Sequence, residues 1–407
     1  MSTETLFRRI CDYAGRPDPY PLYTELREHG VARQEDDSYL VGTYHEIAAL
    51  LHDPRVSSDV RLRVDDPELL PSEDRPAAFI GQDDPEHDRL RRLVMRPFGP
   101  PHSPGRIDAL REDITGIAAG LADALDGKER VDLVDEFAYP LPVTVICRLL
   151  GVPQEDMPQL HAWTDAIIMG LDISPDDSEE ARRRQRTALD ARAAMMDYMG
   201  GLARARRERP GDDMLSALVH DSSPEGPLTE PEVKAHAVLL LIAGHETTVN
   251  LITNGMLTLL RHPDALEYLK SDPARVPRAV EELLRYEPPV QFLPNRTVLA
   301  DVEVQGVTVP QGSRLTLVLA SGNRDPLRFP EPDRFDPARE DNAHLGFGSG
   351  VHNCFGAPLA RVEAQIALTT LLARLGPARL AEDPPPYRRS PVLRGPRHLP
   401  VDRLSPG

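Results

Sequence analysis

The sequence predicts a mainly α protein with small β-sheets, an α+β fold in which helices carry most of the core. Three observations lead there. Most long segments place apolar residues at helical spacing. Runs of β-type alternation are short and few. No internal repeat and no Gly/Ser tract divides the 407 residues, so 1–407 reads as a single domain.

The elements follow in chain order. Residues 21–29 read as a short helix and 38–42, Ser-Tyr-Leu-Val-Gly, as a short strand. Residues 84–96 form a basic helix, and 107–125, 139–150 and 157–169 have helical apolar spacing. Residues 179–209 are charged and alanine-rich, which suggests a long helix with one wet face. Residues 229–261 make another long helix, opened by Thr229-Glu-Pro-Glu232, a capping box with Pro in its first turn. A helix at 277–286 is stopped by Pro288-Pro289. Residues 298–319 hold three β-type pieces, and 358–375 a last long helix.

Composition bounds the function. Apolar residues make up 40% and charged residues 28%, so a packed globular protein is expected. Lys plus Arg is 47 against 65 for Asp plus Glu, a net charge of −18, which argues against nucleic acid as a partner. Three cysteines, Cys11, Cys147 and Cys354, are too scattered for a disulfide framework or a metal knuckle. The start lacks the pattern of a signal peptide, and the longest apolar run, 237–244, is short of the ~20 residues that span a bilayer. A cytoplasmic monomer with no membrane partner is the expectation.

Two places break local rules. The first is Leu239-Leu-Leu-Ile-Ala-Gly-His-Glu-Thr-Thr248, inside the long helix. Gly244 costs about 1 kcal/mol there relative to Ala, and Thr247 and Thr248 can bond back to carbonyls and bend the helix. Leu240, Ala243, Gly244, Thr247 and Leu251 share a face by spacing. A flat ligand could approach the backbone there; a kinked core helix is the plainer reading. The second is His344-Leu-Gly-Phe-Gly-Ser-Gly-Val-His-Asn-Cys-Phe-Gly356, just before a helix. Its glycines free the backbone to fold around something, and a cysteine at a helix N-terminus is favoured as thiolate. It is then a nucleophile with His352 as base, a single axial ligand to haem iron, or part of a zinc site with His344 and His352 whose fourth ligand is missing.

The segment Phe347-Gly-Ser-Gly-Val-His-Asn-Cys354-Phe-Gly356 resembles the haem-binding loop of the cytochrome P450 family, F-G-x-G-x-H-x-C-x-G, at every fixed position. Three more signatures follow the family's order: Ala243-Gly-His-Glu-Thr-Thr248 resembles the oxygen-activation segment, Glu282-Leu-Leu-Arg285 the E-x-x-R pair, and Phe329-Pro-Glu-Pro-Asp-Arg334-Phe335 the segment whose Arg completes an ion-pair triad. Residues 19–27 and 84–92 look like those of soluble bacterial members, and the likeness spans essentially the whole chain.

The resemblance implies a P450 fold with a long helix over haem b. It makes Cys354 the axial thiolate on iron, with Phe347 packed near it and Gly356 closing the loop. Ala243 and Gly244 would lie against the haem. His87, Arg91, Arg296 and His352 match the family's contacts to the haem propionates. Glu246 and Thr247 match its acid–alcohol pair, which delivers protons to iron-bound O2. Glu282, Arg285 and Arg334 would form the structural ion-pair triad. Arg89, Arg92 and Arg96, at i, i+3 and i+7, form a basic strip where the family places its electron donor, so an acidic ferredoxin with an NAD(P)H-dependent reductase is the expected partner. Family analogy draws substrate contacts from 57–82, 157–173, 289–293 and 391–393. Phe79, Ile80, Leu240, Phe292, Leu293 and Val392 form an apolar list suited to a mostly apolar small molecule, with 55–82 as a lid. The activity implied is insertion of one oxygen atom into a C–H or C=C bond, in secondary metabolism or in xenobiotic or steroid oxidation. A haem-thiolate peroxygenase or oxidative-coupling enzyme is the alternative, and a non-catalytic haem sensor a remoter one.

Overall fold

The computed structural model describes residues 5–62, 70–99, 103, 105–170, 178–224 and 226–403. Residues 63–69, inside the expected lid, and 171–173, at the end of an expected substrate-contacting stretch, lie outside the described residues. The residues cluster into two compact units, one of Met1–Arg55, Arg111–Pro142 and Glu246–Gly407, the other of Val56–Leu110 and Val143–His245.

The larger unit contains the sheets. Four of its strands run in the order Val31–Arg33, Tyr39–Val41, Arg314–Leu317 and Leu293–Val298. The middle pair is parallel, with Tyr39 opposite Leu315, and the outer pairings are antiparallel. A register shift between Leu293 and Arg296 breaks the last ladder, a bulge that re-aims side chains. The hairpin Val302–Val304/Val307–Val309 turns at Gln305 and Gly306, both at positive φ, the backbone that a two-residue turn between twisted strands demands. A further sheet joins Arg130–Asp132, Pro400–Arg403 and Ala378–Leu380. The helix Ala357–Arg374 buries Leu359, Val362, Ala364, Ala367, Leu368 and Leu371, an apolar face at helical spacing.

The smaller unit is helical. Met157–Met169 packs along Glu179–Glu208, where Trp163 lies 5.9 Å from Tyr198 and the Tyr198 hydroxyl donates to Asp156 at 2.6 Å. The predicted wet face is present: the buried residues of Glu179–Glu208 are small or flexible ones such as Ala188, Ala191, Met195 and Met199.

The longest helix runs without a break from Glu230 to Arg261. Its capping box forms as expected: Thr229 N donates to Glu232 Oε2 at 2.7 Å, and Glu232 N donates to Thr229 Oγ1 at 3.4 Å. It is long and apolar enough to cross a membrane, but 72% of its most apolar window is buried inside the protein, which marks a core helix. Among the described residues, five short α-helices, Leu6–Cys11, Tyr44–His52, Met214–Val219, Pro263–Lys270 and Leu319–Gly322, escape the sequence reading, each being too short for periodicity to stand out.

Candidate active site

Cys354 stands at the end of a loop pinned at both ends. Its N–H donates to the Phe347 carbonyl at 2.9 Å, closing the loop on itself. Gly348 and Gly350 both lie at positive φ, and a Cβ at Gly350 would sit 2.1 Å from the Leu51 carbonyl oxygen, so only glycine fits there. The helix Ala357–Arg374 starts three residues beyond Cys354. A Cβ built on its cap, Gly356, would lie 3.7 Å from the Cys354 sulfur, so the sulfur sits beside a positive helix end. Of the three cysteines Cys354 alone is exposed, while burial pushes the Cys147 thiol up to about 12. The zinc reading is excluded by His344: its Nδ1 accepts from Gly346 N at 3.0 Å, which leaves Nε2 to donate to Glu281 Oε2 at 3.1 Å. Neither ring nitrogen is left for a metal.

The second rule-breaking segment lies where the long helix opens to solvent. Leu239, Ala243 and Thr247, at i, i+4 and i+8, form an accessible stripe on a helix otherwise largely buried. Leu240 belongs to the buried side and not to this stripe, a correction to its expected place in a substrate pocket. Gly244 has a packing role in the fold. A Cβ there would meet Ile146 at 3.0 Å, so the missing methyl lets the helix pack tightly against its neighbour in the chain's own fold.

Glu246 is fully buried, and its Oε1 lies 2.9 Å from Arg388 Nε. The same Nε donates to Asn250 Oδ1 at 3.2 Å, one turn along the helix, so Arg388 bridges the two. The neighbouring Thr248 hydroxyl bonds to Glu363, another fully buried carboxyl, whose burial pushes its pKa up to about 8 against that hydrogen bond. Arg388 and Glu363 are functional candidates missed in the sequence. Glu363 could have been found, because it interrupts the apolar face of the last helix at Leu359-Ala-Arg-Val-Glu-Ala364.

The expected anion-binding cations divide between the two units, His87 and Arg91 in the smaller and Arg296 and His352 in the larger. His87, on the helix Glu86–Met95, is buried, and Phe79 packs edge-on against it at 6.1 Å. Arg91, one turn on, lies with its guanidinium 5.8 Å from the same ring. Phe79 itself is buried and stacked on His236 at 5.6 Å, while its N–H donates to His236 Nε2 at 3.1 Å. Phe79 therefore supports His87 and Arg91 and is not an open pocket wall as expected. Arg296 is buried on the bulged strand, and His352 ends a single 3₁₀ turn, Gly350–His352.

The E-x-x-R pair is fully buried: Arg285 grips Glu282 with bonds of 2.7 and 2.8 Å. Arg334 does not complete the triad. Its side chain is 61% exposed and pairs with Glu331 at 3.2 Å, and only its carbonyl touches Arg285. The third charge is Arg339, largely buried, with Nε 3.2 Å from Glu282 Oε2. Asp336 N and Asn342 Nδ2 donate to the same carboxylate.

One buried carboxylate thus anchors the chain from 336 to 342, and the loop that presents Cys354 follows at once. That order matches a known protein architecture, and a family model described as Cytochrome P450 matches residues 76–399. The chain belongs to the cytochrome P450 family. It is similar to the cytochrome P450 monooxygenase PikC of Streptomyces venezuelae, with 42% identity over 94% of this chain and 91% of that one. It is 39% identical to 6-deoxyerythronolide B hydroxylase of Saccharopolyspora erythraea, over 94% and 96% of the two chains. Among solved structures, the Bacillus subtilis bacillaene polyketide synthase P450 PksS overlays with a TM-score of 0.87 at 34% identity, covering 97% of this chain and 99% of that one.

The chain is a P450 monooxygenase, and haem is its cofactor. The residues present in the larger unit fit it: one exposed sulfur in a glycine loop, and the buried Arg296, a cation of the kind that carboxylate side groups require. The apolar substrate set divides. Ile80, at 48% exposed, Leu293 and Val392 are accessible, whereas Phe292 is fully buried edge-on to Phe7 and, with Phe79 and Leu240, belongs to the core. The basic strip is charge-compensated. Arg89 pairs with Glu86 and Glu232, Arg92 with Asp88, and Arg96 with Asp221 at 3.7 Å. Two of those acids lie more than 100 residues away in sequence, where spacing arguments do not reach.

Proposed function

We propose that this P450, acting as one haem domain in the cytoplasm, hydroxylates or epoxidises a mostly apolar small organic molecule, with electrons from a separate ferredoxin and its NAD(P)H-dependent reductase. The observation that carries the reading is the accessible Leu239–Ala243–Thr247 stripe next to Glu246, a buried carboxylate held by Arg388. Ile80, Leu293 and Val392 supply accessible apolar surface of the kind such a substrate needs. Relatives named for 6-deoxyerythronolide B and for a polyketide synthase favour a polyketide-type substrate of secondary metabolism.

Cys354 supplies the axial thiolate in this reading, His87, Arg91, Arg296 and His352 take the propionates, and Ala243 leaves room for the flat macrocycle. Bound haem supplies the activation of O2 and the transfer of one oxygen atom. The overall balance, R–H + O2 + 2 e⁻ + 2 H⁺ → R–OH + H2O, demands two protons. Thr247 presents a hydroxyl at the open stripe, able to hold a water and pass a proton from its Oγ. Glu246, next to it, is the acid–base group that recharges that hydroxyl, and Arg388 and Asn250 keep its carboxylate in one place.

The deciding experiment is the visible spectrum of the reduced protein under carbon monoxide. A strongly red-shifted Soret band, lost in Cys354→Ala, is expected. A band typical of histidine or protonated-thiol ligation in the wild type would sink the assignment of Cys354. Spin-state shifts across a library of apolar polyketides, terpenoids and steroids then report the substrate class.

A further inference from the structure

The carboxylate one residue before the buried Glu282 has a separate set of partners. Glu281, on the helix Val276–Tyr286, takes two bonds from Arg361, Nε to Oε1 at 2.7 Å and Nη2 to Oε2 at 2.9 Å. Its Oε2 also accepts from His344 Nε2 at 3.1 Å. Both partners then reach Phe347. The Arg361 guanidinium lies 4.6 Å from the ring centroid, and the His344 ring stands 5.9 Å from it at 51°. Phe347 in turn binds the Cys354 N–H through its carbonyl. Arg361 is also electrostatically coupled to Cys354: its charge is held first by the bond to Glu281, with the cysteine adding to it.

We propose that Glu281, His344 and Arg361 form a charge-balanced clamp on Phe347 that sets the electron affinity of haem held at Cys354. This rests on the reading of Cys354 as axial ligand. His344 is neutral in the clamp, because Nδ1 accepts the Gly346 N–H and Nε2 carries the proton given to Glu281. Glu281 is anionic: burial pulls its carboxyl up, but the bonds from Arg361 and His344 outweigh this and hold its pKa at about 2. The clamp is therefore one negative and one positive charge beside the thiolate loop, with no net charge. Removing either member leaves the other uncompensated, and the two removals have opposite signs. Ferrous haem-thiolate carries one more negative charge than ferric, so a net positive neighbour favours reduction and a net negative one opposes it. Both side chains are partly open to solvent, at 37% for Arg361 and 27% for Glu281, so added salt damps the effect.

The three residues are positioning and tuning residues, since none of them contacts the reacting atoms. The test is the reduction potential of the haem-loaded protein, measured by equilibrium dye titration for Glu281→Gln, Arg361→Gln and the double variant. Glu281→Gln should raise the potential, Arg361→Gln should lower it, and the double variant should return towards the wild type. Both shifts should shrink in high salt. Shifts of the same sign, or none, would overturn the clamp, because a purely structural role disturbs the loop alike in every variant. If Glu281→Gln loses haem, Arg361→Gln decides alone: a potential that rises or stays put overturns the proposal. In His344→Ala, whose charge is unchanged, the carbon monoxide complex should decay faster from thiolate to protonated-thiol ligation with little change in potential. A wild type without the thiolate band would instead count against Cys354 itself.

Discussion

Glu363→Gln should remove a specific pH dependence from the stability of this protein. Glu363 is fully buried on the last helix, and burial raises its pKa from an ordinary 4.5 to about 8, with Thr248 its hydrogen-bonding neighbour. The folded protein therefore keeps a proton that the unfolded chain releases above 4.5. Its stabilising contribution is fully present below pH 4.5 and is lost as pH rises towards 8. A gap of roughly 3.5 pH units at about 1.36 kcal/mol each amounts to ~5 kcal/mol, of which about half falls between pH 5 and pH 7. An unfolding entropy of about 2.1 cal/mol/K per residue over this chain turns that half into ~3 °C. The assay is thermal unfolding of wild type and Glu363→Gln, both loaded with haem, at pH 5, 6 and 7. Gln keeps the shape and cannot titrate, so the melting temperature of the wild type should fall by ~3 °C relative to the variant across that range. A difference between the two that stays constant within 1 °C would show that Glu363 ionises as it does in water, and the reasoning from its burial would fail.

Three further outcomes are expected. Thr247→Ala should leave NAD(P)H consumption running while product falls at least about tenfold and peroxide accumulates, because a proton donor is gone from the open stripe; unaltered coupling in an oxygen-uptake assay would remove Thr247 from the mechanism. Arg339→Ala should destabilise by about 2 kcal/mol through loss of a charged contact to buried Glu282, while Arg334→Ala should stay within ~0.5 kcal/mol as an exposed site; denaturant midpoints that reverse this order would restore Arg334 to the triad. Charge reversal at Arg92 and Arg96 should leave the salt dependence of reduction by a ferredoxin unchanged, since each arginine already faces an acid. A clear loss of salt dependence in stopped-flow reduction would show that the strip steers the donor.

The Glu246–Thr247 pair rested on the family resemblance, whereas the loop before Cys354 and the capping box at Thr229 could be read directly from the chain. Each is a local device whose residues are neighbours in sequence, so its physics is carried by spacing alone: glycines for a tight loop, a helix start beyond the sulfur, a side chain reaching back three residues. Helix positions were recoverable for the same reason, since a long apolar period survives without knowledge of what packs on it. The short helices Leu6–Cys11 and Met214–Val219 were not, because one or two turns contain too little period to distinguish from chance.

Tertiary structure decided what distance in sequence conceals. Arg334 was the expected third member of the triad, and only packing showed that it points to water while Arg339 reaches Glu282. Phe79 and Phe292 read as pocket walls, yet stacking on His236 and contact with Phe7 consumed their surfaces. The basic strip found partners in Glu232 and Asp221, and Glu281 met Arg361 across 80 residues. Ion pairs and aromatic contacts act over a few ångströms and are indifferent to chain separation, so the partner of a charge is settled by the fold. The sequence and its family resemblance could single out Cys354, Glu246 and Thr247, but which groups surround and balance them is a property of the packed protein.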